Sequence, residues 1–367
     1  MCPRPFHRFI DKVIRMNKRK VVLLRADGNK QIGLGHLNRV SLIADMLCRR
    51  FGFEAKVLFR SNDEAGKFLS NHGLAAESLH AQLTVDSEID TLNQVIRHDD
   101  PALVVFDLLA LEDENDYLER INHDGIPFIA ITDDSKRREL SADIVLNGNP
   151  NQHGQDYGLD SDRYLLGPNY FIMDPRIRLA MVKRPDGQVR DILLTFGGSD
   201  HNDLIFKVMN VVESVPQLSG LRLKLVVSSA CGYIERLLDR LKMSALDVEL
   251  IIDADGLAAL WAQVDLAVTA GGNTLFERIA SRLPGATVCQ LQRQMEIADK
   301  FAELGVNVNL GYGPELSELE LADRLAAFIF DKDNHAQQYD RAPEIIDGRG
   351  LDRLGDAIEK MLERGGR

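Results

Sequence analysis

In the stretch QIGLGHLNRV (31–40), two glycines stand directly ahead of a histidine, His36. An apolar run, VVLLRAD (21–27), precedes the stretch, and Leu37, Val40, Ala44 and Leu47 mark a helical stripe after it. The loop therefore falls at the carboxyl end of a strand, the end at which parallel sheets bind ligands. Gly33 and Gly35 permit backbone angles and close approaches that a Cβ would block, and the first free N–H groups of a helix attract anions. An imidazole there can accept a proton from water or a hydroxyl near neutral pH, and a positive helix end favours its neutral form. Position alone leaves His36 two readings, a general base or a residue that caps its own loop. The spacing matches neither the G-x-G-x-x-G dinucleotide fingerprint nor the P-loop with its lysine.

The second half of the chain repeats this logic. TFGGSD (195–200) places Gly197, Gly198 and Ser199 after an apolar run, and TAGGNTLFERIASRLP (269–284) does the same with Gly271 and Gly272. Asn273 or Thr274 is positioned to cap the helix that follows, whose N-terminus would cradle a diphosphate. Glu277 falls one turn inside that helix, where a carboxylate either accepts hydrogen bonds from two ribose hydroxyls or simply complements the helix dipole. Gln294, in LQRQMEIADKFAELG (291–305), is a candidate for ligand hydroxyls or an ordinary helix start. Asp133 and Asp134 are polar cleft residues or a turn. No His, Cys and Asp cluster has metal-ligand spacing, and neither a metal nor another cofactor is expected.

A scaffold must position these loops. At 367 residues the chain exceeds one hydrophobic core, so two domains with a cleft between them are expected. Its 45% hydrophobic and 27% charged content is that of a globular protein, and no segment has the ~20 apolar residues of a membrane span. With four scattered cysteines, it reads as a cytoplasmic protein. The formal charge of -12 argues against nucleic acid as a partner. Short apolar runs alternate with helical patterns throughout, which predicts parallel sheets covered by helices. VVLLRAD, AKVLFR, LVVFD, PFIAITDD and DIVLN form one series; DILLTFGGSD, RLKLVVSSA, DVELIID, VDLAVTAGG and ATVCQLQ form another. The expected organisation is an extension (1–18), a first Rossmann-like domain on the sugar or acceptor side (19–174), a Pro- and Arg-rich connection (175–190) and a second Rossmann-like domain (191–345). A final helix (346–367) returns to the first domain.

The segments RADGNKQIGLGHLNR, TDDS, DIVLNGNPNQHGQDYG, LLGPNYFIM, LLTFGGSDHND, VTAGGNTLFERI and CQLQRQMEIADKFAELG together resemble the PseG family and the related SpsG-type polysaccharide proteins. The matches run in order from about residue 21 to 311. The Gly-Gly-x-Thr-x-x-Glu element is shared more widely, with MurG-like glycosyltransferases. The resemblance implies an α/β protein of GT-B architecture, with two Rossmann-like domains facing a central cleft. It also implies hydrolysis of a UDP-linked deoxyamino sugar at its anomeric carbon, with inversion and release of UDP, in surface polysaccharide or nonulosonic acid (pseudaminic acid) synthesis. His36 matches the family's base for the attacking water, and UDP binding transfers to Gly198, Ser199, Asn273, Thr274 and Glu277. Where PseG proteins carry Asp-His-Tyr-Gly, this chain reads Asp107, Leu108, Leu109, Ala110, which leans towards the SpsG-like branch. The alternatives are an inverting glycosyltransferase that moves the sugar to a sugar or lipid acceptor, a hydrolysing 2-epimerase, and an inactive UDP-sugar-binding protein.

Overall fold

The computed structural model describes residues 21–29, 32–107, 114–121, 125–133, 140–152, 162–180, 182–198, 200–229 and 231–364. The extension 1–18, Ser199, Leu108, Leu109 and Asp134 lie outside the described residues. The chain divides into two compact units, Met1–Ile172 with Arg349–Arg367, and Met173–Gly348.

The first unit is built on strands β1 (Val21–Arg25), β2 (Glu54–Arg60), β3 (Ala75–Leu79), β4 (Leu103–Asp107), β5 (Phe128–Ile131), β6 (Ile144–Asn147) and β7 (Tyr164–Leu166). Their order in the sheet is 3-2-1-4-5-6-7, and all neighbours pair in parallel. The connecting helices include α1 (Gly35–Phe51), α2 (Asp63–Asn71), α3 (Val85–Asp99) and α4 (Glu114–Glu119). Side chains alternate across a strand, so each sheet face takes its own core. Val22 and Leu24 of β1 pack with Leu37, Val40, Ile43 and Leu47 of α1, whereas Leu23 meets Ile89, Leu92 and Ile96 of α3 on the other side.

The second unit repeats the plan with β8 (Asp191–Thr195), β9 (Arg222–Val227), β10 (Asp247–Ile252), β11 (Leu266–Thr269), β12 (Gly285–Cys289) and β13 (Val308–Tyr312), ordered 10-9-8-11-12-13. Its helices are α5 (Leu204–Ser214), α6 (Ile234–Met243), α7 (Ala258–Trp261), α8 (Asn273–Ala280), α9 (Gln292–Glu303), α10 (Glu318–Phe330) and α11 (Lys332–Ile345). A short 3-10 segment, Pro175–Leu179, packs beside α7 and α8. The last helix, α12 (Gly350–Arg364), belongs to the first unit, where Leu351, Leu354 and Ile358 join the core under α1.

In each sheet the chain starts in the middle, builds outward to one edge, and then returns to build the other edge. The strand order therefore reverses between β1 and β4 in the first unit and between β8 and β11 in the second. Loops leaving the carboxyl ends of those two pairs diverge, and the gap they leave is where open parallel sheets hold ligands. His36 follows β1 and Asp107 ends β4; Gly197 and Gly198 follow β8, and Gly271 and Gly272 follow β11.

Candidate functional site

In the first unit the loop after β1 closes on itself before the helix starts. Asn29 and Gly33 exchange backbone hydrogen bonds (Gly33 N–H to Asn29 O, 2.8 Å; Asn29 N–H to Gly33 O, 3.2 Å), and the Asn29 side chain accepts from Ile32 N–H. Gly33 turns with φ 79°, which favours glycine, whereas Gly35 is the first residue of α1. Leu34 at the N-cap supplies no side-chain hydrogen bond, and the first turn carries no acid. His36 is thus set in an open first turn, with its side chain 13% exposed.

Arg39 lies one turn further on the same face. Its guanidinium, 7% exposed, makes a two-point pair with Asp107 (Nε to Oδ2 2.7 Å, Nη2 to Oδ1 2.6 Å). It makes a second with Asp133, just past β5 (Nη1 to Oδ1 2.8 Å, Nη2 to Oδ2 3.0 Å). Burial alone would lower the proton affinity of Arg39; the charges of Asp107 and Asp133 outweigh it and hold the group firmly cationic. Asp107 Oδ1 also lies 2.9 Å from His36 Nδ1. His36 therefore sits at the edge of a set built by α1, β4 and β5. Arg39 and the partnership with Asp107 are absent from the sequence reading, where Asp107 stands only as part of a family motif. The available signal is the three-residue spacing of His36 and Arg39, which puts both on one helix face.

A separate set lies on the β2 side of the same loop. Glu88 of α3 accepts from Arg25 Nε (2.9 Å), Arg60 Nη2 (2.7 Å) and the Tyr117 hydroxyl (2.8 Å), and Arg25 also holds Asp27 (2.7 Å). Two cations balance two acids here, so this set anchors the loop to β2 and α3.

In the second unit, the two glycine loops end differently. Gly197 has φ 82°, and both Gly197 and Gly198 are exposed. Three residues on, buried Asp200 accepts from Leu204 N–H (2.9 Å), Ile205 N–H (3.1 Å), the Tyr233 hydroxyl (2.8 Å) and Gln290 Nε2 (3.1 Å). The N-terminus of α5 is thereby occupied by the chain's own carboxyl group. The N-terminus of α8 is not. Its N-cap is Gly272, with no side-chain bond and no acid in the first turn. Asn273 and Thr274, expected as caps, are instead the first two helical residues, because Gly272 takes the extended N-cap conformation (φ -97°, ψ -153°).

Gln294 closes over this turn. A Cβ on Gly271 would lie 2.9 Å from Gln294 Cβ, so this glycine makes room for the glutamine, whereas one on Gly272 would lie 3.7 Å from Gln294 Nε2, an ordinary contact. Gln294 Oε1 accepts from Gln290 N–H (2.8 Å) and Leu291 N–H (3.3 Å). Gln290, absent from the sequence reading, donates to Phe196 O (2.6 Å) and so ties the loop after β12 to the loop after β8. The signal is a polar residue ending an apolar strand, GATVCQ.

Glu277 is half-buried, and among the described residues no donor reaches its carboxyl group. Burial, and then the nearby Asp174 charge, push its pKa up to about 7 from an ordinary 4.5. A carboxyl raised in the folded state carries no penalty below the unfolded value, and the penalty grows between pH 4.5 and 7. Glu277→Gln should therefore stabilise the second unit at pH 8, by at most about 3 kcal/mol, and leave it unchanged at pH 4. Denaturant unfolding at the two pH values checks this, and equal effects at both would return Glu277 to an ordinary solvated acid.

The first-unit residues Gly33, Gly35 and His36 thus gather at one switch point, and Gly197, Gly198, Gly272, Asn273, Thr274, Glu277 and Gln294 around the other. Among the described residues no group of three His, Cys, Asp or Glu side chains is arranged to hold a metal ion. None of the described helices is long and apolar enough to cross a membrane.

No family model matches the chain. It is 25% identical over 348 residues to the spore coat polysaccharide biosynthesis protein SpsG of Bacillus subtilis, covering 92% of this chain and 98% of that one. It is also 24% identical over 291 residues to the uncharacterized protein MJ1062 of Methanocaldococcus jannaschii, across 76% of this chain and 58% of that protein. Among solved structures it resembles MurG of Acinetobacter baumannii (TM-score 0.69, 12% identity, 93% of this chain and 100% of that one). It also resembles the glycosyltransferase SsfS6 of Streptomyces sp. SF2575 complexed with thymidine diphosphate (TM-score 0.60, 13% identity, 92% and 100%). A third likeness is to a protein assigned as a UDP-N-acetylglucosamine 2-epimerase from Listeria monocytogenes (TM-score 0.62, 14% identity, 94% and 97%). The chain is an α/β protein of the GT-B fold, with two Rossmann-like units, and is similar to SpsG along nearly its whole length.

Proposed function

We propose that this protein is a GT-B enzyme of polysaccharide biosynthesis that breaks the anomeric C–O bond of a UDP-sugar. The observation that carries the reading is the open N-terminus of α8 beside the donor-free carboxyl group of Glu277. Free amide groups complement a diphosphate, and a carboxyl without donors complements the hydroxyl pair of a ribose. Uridine as the base comes from the family resemblance. In the first unit, His36 would take the proton of the attacking hydroxyl as that oxygen bonds to the anomeric carbon. The bond from that carbon to the diphosphate breaks in the same displacement, and UDP leaves with its new charge on the α8 amides. A single displacement inverts the anomeric centre.

Transfer to a sugar or lipid acceptor is the reading favoured by the whole-length likeness to SpsG. Hydrolysis, with water as the nucleophile, is favoured by the likeness of the QIGLGHLNR loop to PseG. Incubation with a panel of UDP-amino sugars, with and without acceptors, separates them by free UDP. Release without an acceptor identifies a hydrolase, and acceptor-dependent release a transferase. Solvent deuterium at C2 of the product identifies an epimerase. Tight binding without turnover across the panel identifies a binding protein, and no binding of any UDP-sugar overturns the reading.

A further inference from the structure

The hydrogens of Arg39 can be counted, and the count decides which nitrogen of His36 carries the ring proton. An arginine has five: one on Nε and two on each terminal nitrogen. Nε gives its hydrogen to Asp107 Oδ2, and Nη1 gives one to Asp133 Oδ1. Nη2 gives one to Asp107 Oδ1 and the other to Asp133 Oδ2. Yet Nη2 also lies 3.0 Å from His36 Nδ1. Both of its hydrogens are engaged, so it has none for the imidazole. Nδ1 must then carry its own hydrogen and donate it to Asp107 Oδ1, 2.9 Å away. The lone pair of the neutral ring is left on Nε2.

We propose that Arg39 and Asp133 act together as a tautomer lock on His36, with Asp133 as a positioning residue that reaches the imidazole only through Arg39. Asp133 is the outermost member, 50% exposed against 0% for Asp107, and it does not touch the ring. Its contribution is to occupy the second Nη2 hydrogen. Without an acceptor at position 133, the guanidinium loses the second of its two anchors and can pivot as a planar unit about Asp107, which brings an Nη2 hydrogen towards His36 Nδ1, and the ring proton moves to Nε2. A ring in that state cannot take a proton through Nε2. The inference concerns the ring itself; its consequence for turnover rests on the proposed role of His36 as the base.

The test compares Asp133→Ala with Asp133→Asn. Asparagine keeps an acceptor oxygen without the charge, so it separates occupation of the hydrogen from simple electrostatics. Long-range 1H–15N correlation spectra of protein labelled at histidine nitrogen, with His36 assigned by its loss in His36→Gln, report the tautomer directly. The expected result is an Nδ1–H ring in the unmodified protein and in Asp133→Asn, and a ring wholly or partly Nε2–H in Asp133→Ala. Turnover of the UDP-sugar should fall in Asp133→Ala by about 10-fold to 10²-fold with KM unchanged, since a misplaced ring proton disables an otherwise intact base. An Nδ1–H ring in Asp133→Ala would overturn the lock, as would an Nε2–H ring in the unmodified protein. A tautomer that moves while turnover does not would uphold the lock and remove His36 from the base role.

Discussion

His36→Ala should lose about 10²-fold or more in UDP-sugar turnover if removal of a proton limits the reaction, while its affinity for UDP stays within about twofold. The two halves of that result come from different places in the chain. In the proposed function UDP is held by the α8 amides and Glu277 of the second unit, and no part of that set is built from α1. His36 lies 2.9 Å from Asp107 through Nδ1, and in the proposed arrangement Nε2 is left for the reacting group. Removing the imidazole leaves Asp107 its two-point pair with Arg39, so the surrounding framework remains closed. Calorimetry with UDP and steady-state kinetics on the same preparation supply the two numbers. Unchanged turnover would return His36 to the capping role that its position also allows, and a parallel loss of UDP affinity would show that the variant had damaged more than the proton acceptor.

Arg39→Met should be the most damaging single change to the fold of the first unit. Asp107 is wholly buried, and its carboxylate depends on Arg39 for two strong hydrogen bonds and for its counter-charge. A methionine fills much of the same volume but leaves that carboxylate with the His36 ring as its remaining partner in the set. Removing one partner of a buried pair typically costs about 3–5 kcal/mol, because the other is left charged and poorly solvated. That is a large part of the about 5–15 kcal/mol that holds a domain together. The unfolding transition of the first unit in denaturant measures it; a loss below about 1 kcal/mol would mean that water reaches Asp107 and the pair is an ordinary surface contact. The second unit should unfold as before.

How far the sequence carries the fold depends on how deeply each strand is buried. LVVFD and DIVLN are unbroken apolar runs because β4 and β6 are covered on both faces, and both read as strands directly. AAESL does not, because four of its five residues are exposed in β3 at the sheet edge. YLL, as β7, is only three residues long, and VNLGY, as β13, is broken by Gly311 with φ 124° and by a shift of register against β12. These three strands are absent from the expected series. The glycine loops and His36 are legible because at Gly33 and Gly197 the backbone takes a positive φ and at Gly271 it packs too closely for a Cβ. Arg39 is not, since an arginine one turn along an amphipathic helix ordinarily faces water. What turns it inward is the pairing of β4 beside β1, a contact between residues 68 apart that no local pattern encodes.

Helix α12 belongs to the core of the unit that begins the chain, so the whole second unit is an insertion within the first. A ribosome must therefore deliver residues 173–348 before the opening domain can receive its closing helix. The later lobe has all of its own strands and helices while the earlier one still waits, with the apolar floor beneath Leu351, Leu354 and Ile358 uncovered. Birth order and completion order of the two units are thus reversed in this chain.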